Sequence, residues 1–157
     1  MAFILSTGAV LHLLSAQGDD PIVRWIEEDR VRPFIAASTM ATVRHIIRTT
    51  DRVSHEQRTV LERRYQRLVR DLDADRREQV TSAVFDLKSA EILSDILPLD
   101  AGREVLSDMD LMPAAVAMQH NLELVVTEEI DAWRALSAAI AEELGRLTLK
   151  TFPATQA

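Results

Sequence analysis

The chain has 157 residues, of which 47% are hydrophobic and 27% charged, the balance of an ordinary globular protein with one sizeable core. It has no cysteine, which excludes disulfides, a thiolate metal site and a cysteine nucleophile. A formal net charge of -7 gives no global attraction to nucleic acid, so any RNA-binding surface has to be a local basic stripe.

The chain opens on Ala2 to Leu5, a short apolar run with the character of a strand buried on both faces. Ser6, Thr7 and Gly8 end it, and Ala9 to Leu14 reads as a short helix. This opening has no basic leader and no clear small-residue cleavage site, which argues against a signal peptide. No apolar run is long enough to span a bilayer, and a cytoplasmic protein is expected. Gly18, Asp19 and Asp20 form a break, with Asp20 placed to N-cap the next helix and Pro21 at its first position. That helix carries Ile22, Trp25 and Ile26 on one face, and the acids Glu27, Glu28 and Asp29 oppose its dipole and predict its stop. Phe34 to Ala36 is read as a second short buried strand. Ser38 or Thr39 is expected to cap a helix through Ile47, with Met40, Val43 and Ile47 at helical spacing.

Ser54 starts the clearest helix, because Gln57 follows three residues on, as a capping box requires. Leu61, Tyr65, Leu68 and Leu72 line one face of it. A further helix is expected from about Asp75 to Leu87, with Val80, Val84 and Leu87 inward, then a separate short helix at Ser89 to Leu93. Ile96 to Leu99 is read as the third strand. Asp110 begins a helix that runs to His120, and Leu122 to Val126 is a buried strand ending at Thr127. Glu128 to Leu144 is helical, with Trp133, Leu136, Ile140 and Leu144 on one stripe and Gly145 as a C-cap residue. Leu147 to Phe152 alternates apolar and polar side chains before Pro153 and is read as an edge strand. Short strands separated by helices imply an α/β fold with a central, mostly parallel sheet covered on both faces. Sites in such sheets form beyond the carboxyl ends of the strands, which puts Ser6, Thr7 and Thr127 at one edge. The helix starts at Thr39 and Asp110 can reach the same edge.

Four segments, in this order and spacing, resemble the PIN-domain family, in particular VapC-like toxins of toxin–antitoxin systems. An apolar strand followed by Asp-Thr and an apolar helix opens that family; here the strand, Thr7 and the helix are kept and Ser6 stands at the aspartate. The family's second segment is a short strand, a polar turn and a helix with an inward glutamate, and Thr42 falls at the glutamate. Asp110, Ala114, Ala115 and Ala117 match the third segment. Val125, Val126 and Thr127 match the fourth, with Glu129 at the acidic place and Trp133 at the usual aromatic. The stretch before Pro153 resembles the last family strand. The resemblance implies a PIN-like three-layer α/β/α domain over residues 1–153 with a short tail at 154–157. It also implies Mg²⁺- or Mn²⁺-dependent RNA hydrolysis, a homodimer and an antitoxin protein as partner.

Hard divalent cations take oxygen ligands, and carboxylates offset their charge. The hydroxyls of Ser6 and Thr42 are poor substitutes, so Asp110 and Glu129 leave about half of a cage. The leading expectation is therefore a degenerate PIN-domain protein that binds RNA or a protein and has no resident metal. An active endoribonuclease, with Asp110 and Glu129 holding Mg²⁺ or Mn²⁺, is the first alternative. A structural or regulatory homodimer without nucleic acid is the second. Asp110 also reads simply as a helix cap, and Glu128 and Glu129 as first-turn acids. His12, His45, His55 and His120 show no triad spacing. For RNA the candidates are Arg63, Arg67 and Arg70, which share a helix face with Arg64 and Arg77 close by. Glu62, Asp71, Asp73, Asp75 and Glu78 interleave with them, and an internally paired, solvated helix face is the alternative. Leu13, Trp25 and Ile26 are read either as core or as a groove or dimer face.

Overall fold

A computed structural model describes residues 2–76 and 85–153, with side chains through Asp71 and again from Phe85. Within them three short strands, β1 (Phe3–Leu5), β2 (Glu123–Val126) and β3 (Thr148–Thr151), form a parallel sheet in the order β1-β2-β3. The register pairs Leu5 with Val125 and Val126 with Thr151. Around the sheet lie α1 (Thr7–Ser15), α2 (Pro21–Glu28), α3 (Ala37–Thr49), α4 (His55–Arg76), α5 (Leu87–Ile96), α6 (Asp108–His120) and α7 (Ile130–Glu143).

Strand alternation divides the core in two. Ile4, Leu124 and Val126 point to one face and pack with Ile96 of α5, Leu111 and Ala115 of α6, and Trp133, Leu136 and Ile140 of α7. Leu5 and Val125 point to the other and pack with Val10 and Leu14 of α1, Ile22 of α2, Val43 and Ile47 of α3, and Tyr65 of α4. The three-layer α/β/α arrangement follows from that alternation, since each sheet face needs its own helical cover. A fully buried side chain of this kind stabilises the fold by about 1.5–3 kcal/mol. Leu13, Trp25 and Ile26 are half-buried against the second cluster, and Trp25 sits edge-on to Phe3 with ring centroids 4.8 Å apart.

Local side-chain chemistry sets several helix starts. The Asp20 carboxylate accepts from the Ile22 N–H at 3.0 Å, and its other oxygen lies 2.8 Å from His12 Nε2, which ties α1 to α2. Ser54 and Gln57 make both halves of a capping box at 2.8 and 3.2 Å. Asp86 caps α5, and Gln119 of α6 donates to it at 3.0 Å. That side chain first, and the Ser89 backbone N–H second, hold the Asp86 carboxyl below the usual carboxylate range.

Four sequence expectations are corrected. Phe34 to Ala36 is no strand: it makes a single parallel bridge, Phe34 with Ile4, because α3 begins at Ala37 before the ladder can extend. Ser38 and Thr39 do not cap that helix; the N-cap is Ala36, which has no side-chain oxygen to offer. Ile96 to Leu99 is not the third strand. Ile96 is the last residue of α5, buried on its inner face, and the chain turns at Leu97 and Pro98 so that the Leu99 N–H donates to the Ile96 carbonyl at 3.0 Å. Leu87, expected inward, is 86% exposed at the first position of α5, while Val80 and Val84 lie outside the described residues. Arg77 and the tail at 154–157 also lie outside them, as does the side chain of Leu72.

Candidate functional site

The topology collects helix N-termini at one edge. α1 and α7 leave the carboxyl ends of β1 and β2, and α3 leaves the Phe34 segment, which runs parallel to β1. α6 feeds back into the opposite end of β2, so its own start returns to this edge. Four helix starts therefore face one region, and each presents unsatisfied N–H groups and the positive end of a dipole.

Each expected site residue has a defined role there. Ser6 is 4% exposed, and its Oγ accepts from the Ala9 N–H at 3.1 Å as the N-cap of α1. Its backbone N–H donates to the Val125 carbonyl at 3.0 Å, which fixes it beside β2. Thr42, in the second turn of α3, turns its hydroxyl back onto the Ser38 carbonyl at 3.0 Å. Asp110 sits in the first turn of α6, where its Oδ2 accepts from the Ser107 N–H at 2.8 Å and from the Ser107 hydroxyl at 3.0 Å. Ser107 Oγ in turn accepts from the Asp110 N–H at 3.3 Å, which completes a capping box. Sequence reasoning passed over Ser107, although a serine three residues before an aspartate and an apolar run is the signal for that motif.

Glu128 and Glu129 are not first-turn acids of α7, which starts at Ile130 and carries Asp131 in that turn. Glu129 is the N-cap, exposed, with no side-chain cap bond and a left-handed backbone at φ 51° and ψ 39°. That conformation costs an ordinary L-residue about 1–2 kcal/mol and is tolerated best by Gly, Asn and Asp. Glu129→Gly is expected to raise stability by about 0.5–1 kcal/mol, after the entropy glycine gains on unfolding; an unchanged or lower urea midpoint would count against the strain. Glu128 lies across the start of α1, where a Cβ on Gly8 would stand 3.6 Å from its Oε2.

Around these groups lie hydroxyls with no hydrogen-bond partner. Thr7 (3% exposed), Thr39 (1%) and Thr127 (2%) each hold a buried Oγ1 that nothing among the described residues satisfies, and Ser38 Oγ shares that condition. This donor set does not fit a hard divalent cation. Two corners carry hydroxyls, one of them already committed as an acceptor and the other as a donor, and Asp110 is engaged by Ser107. Among the described residues no three of His, Cys, Asp and Glu come together as an ion would need.

The arginine face lies elsewhere, on α4. Arg63, Arg67 and Arg70 are exposed along it. Arg64 donates through Nη1 to the Leu14 carbonyl at 2.6 Å at the end of α1, and Glu62 pairs with Arg48 of α3 at 3.2 Å rather than with its own helix. Arg64 and Arg67 border a pocket of ≈ 300 Å³ whose apolar lining includes Leu13, Leu14, Val23 and Leu68.

No family model matches the chain, and no curated protein is similar to it in sequence. Solved structures are similar to it in shape over nearly its full length. FitAcB from Neisseria gonorrhoeae is 20% identical, with 94% of this chain and 95% of that one covered at a TM-score of 0.62. DNA-bound VapBC from Salmonella typhimurium is 15% identical over 96% and 98% of the two chains at 0.60. VapBC2 from Rickettsia felis, bound to a DNA fragment from its promoter, is 13% identical over 97% and 99% at 0.57. These structures share the three-layer architecture described above. This chain has the PIN fold. Ser6 caps α1, Thr42 lies in the second turn of α3, Asp110 in the first turn of α6, and Glu129 caps α7.

Proposed function

We propose that this chain is a binding protein on the PIN scaffold, engaging an antitoxin-like protein or RNA, and that metal-dependent ribonuclease activity is lost. The observation that carries this reading is the state of the four corner residues. Ser6 and Thr42 contribute neutral hydroxyls already used in helix bonds, Asp110 is held by Ser107, and Glu129 stands exposed at a strained cap. Metal-assisted hydrolysis needs an ion that activates water or clamps the reacting oxygens, and each anion removed weakens its binding. A protein partner is supported by the similar structures FitAcB and VapBC, both two-component complexes. RNA contact is supported by the exposed Arg63, Arg67 and Arg70, whose planar forks suit phosphate. An active Mg²⁺- or Mn²⁺-dependent nuclease is the second reading, with Asp110 and Glu129, at the starts of α6 and α7, as its remaining acids. A labelled RNA incubated with Mg²⁺ or Mn²⁺ tests the choice. The expected result is no cleavage that a chelator abolishes, together with salt-sensitive RNA retention that weakens in Arg67→Ala. Chelator-sensitive cutting establishes the second reading instead.

A further inference from the structure

We infer that the pocket between the end of α1, the start of α2 and α4 is a site for a free apolar amino acid, held as a zwitterion with its side chain on the apolar floor. The inference goes beyond the proposed partner and RNA binding and shares only Arg67 with them.

The pocket encloses ≈ 300 Å³, the low end of the range for small-molecule sites. Its floor is aliphatic, with Leu13 and Leu14 from α1, Val23 from α2 and Leu68 from α4. Leu13, Val23 and Leu68 are only half-buried, so an apolar side chain seated on them removes further apolar area from water. Three charged side chains border that floor: Arg64, Arg67 and Asp71. Arg67 and Asp71 stand four apart on α4, neighbours on one helix face, where opposite charges commonly pair. Here they make no ion pair, and among the described residues neither has another partner. Arg64 is fixed at the rim by its Nη1 bond of 2.6 Å to the Leu14 carbonyl, and its other N–H groups find no acceptor among the described residues.

The pocket therefore offers cationic donors, an anionic acceptor beside them and an aliphatic floor. The α-carboxylate, α-ammonium and side chain of a free apolar amino acid match those three, because its two charges share one carbon as Arg67 and Asp71 share one helix face. A simple apolar anion leaves Asp71 facing a like charge. A peptide segment carries neither end charge within its chain, and a recess of this size does not hold the row of anchors at i, i+3 or i+4 and i+7 that a docked helix presents. The wall between α1 and α2 is set before any ligand arrives. The Asp20 N–H donates to the Gln17 carbonyl at 3.0 Å, and the Asp20 carboxylate lies 2.8 Å from His12 Nε2 and accepts from the Ile22 N–H at 3.0 Å. Such preorganisation lowers the ordering cost of binding.

L-Leucine titrated into the full-length protein, followed by amide chemical shifts, tests the site. Saturable shifts at Gly18, Val23 and Asp71 are expected, with half-saturation at or below about 1 mM. Leucinamide, which lacks the carboxylate, and 4-methylpentanoate, which lacks the ammonium, are each expected to bind about 10-fold more weakly, and N-acetylleucinamide, which lacks both charges, more weakly still. Asp71→Asn is expected to weaken leucine about 10-fold without weakening 4-methylpentanoate, and Arg67→Gln to weaken both without weakening leucinamide. No saturable shift with leucine up to about 10 mM overturns the inference, as do saturable shifts confined to other residues. Equal binding of leucine and 4-methylpentanoate overturns it in favour of a seat for apolar anions. Equal binding of leucine and N-acetylleucinamide overturns it in favour of a seat for a side chain of a protein partner.

Discussion

Gly102→Val is expected to lower the unfolding free energy by about 2–5 kcal/mol, the sum of left-handed strain and overpacking. Gly102 has φ +75°, and a Cβ built there meets the Ala132 carbonyl oxygen at 2.4 Å. The obstacle is backbone, so no rotamer change relieves it. The turn that follows α5 can approach α7 this closely only because the residue has no side chain, and its N–H ladder is drawn in with it: the Leu106 N–H donates to the Gly102 carbonyl at 3.1 Å. Leu106 is 3% exposed and belongs to the core cluster that contains Trp133. Pushing the turn outward therefore loosens the start of α7, including the left-handed cap at Glu129. At this chain length each kcal/mol corresponds to roughly 2–4 °C in Tm, so thermal unfolding resolves the effect easily. A Tm within a degree of wild type would show that the close approach does not exist.

The second large effect concerns Asp110. Read as an inherited metal ligand, its removal relieves repulsion among clustered acids and stabilises the apo protein. Read as half of a capping box, its removal leaves the Ser107 N–H without its acceptor and strips a favourable anion from the first turn of α6. The geometry supports the second account, and Asp110→Ala is expected to cost about 1–2 kcal/mol in urea unfolding. Asp110→Asn keeps an acceptor and is expected to lose less than half of that. A stabilised Asp110→Ala protein contradicts the capping account.

The parts of the fold that were legible in the sequence are those in which local chemistry decides. Asp20 before Pro21, and Ser54 three residues before Gln57, announced helix starts because the capping atoms come from the same few residues. The apolar runs at Phe3 and Leu124 were readable as strands buried on both faces, and their alternation fixes which helix layer each side chain meets. Ile96 misled because a short apolar run looks alike in a strand and at a helix end, although Pro98 inside the run argues against a paired strand. Phe34 misled because one bridge in a parallel sheet leaves no periodicity to detect. Of the site, the order of Ser6, Thr42, Asp110 and Glu129 was visible, together with the two hydroxyls at acidic places. Their commitments were not. That Thr42 bonds Ser38, that Ser107 holds Asp110, and that Glu128 covers Gly8 depend on side-chain directions at converging helix starts, which spacing alone does not encode.

On the proposed reading, the carboxyl edge of this sheet does not anchor a divalent ion. Titration of Mn²⁺ into the wild-type chain, followed by calorimetry, measures that directly. No saturable heat is expected, and no difference between wild type and Asp110→Ala once the latter's lower stability is matched by temperature. A saturable one-site isotherm in wild type that disappears in Asp110→Ala would contradict it.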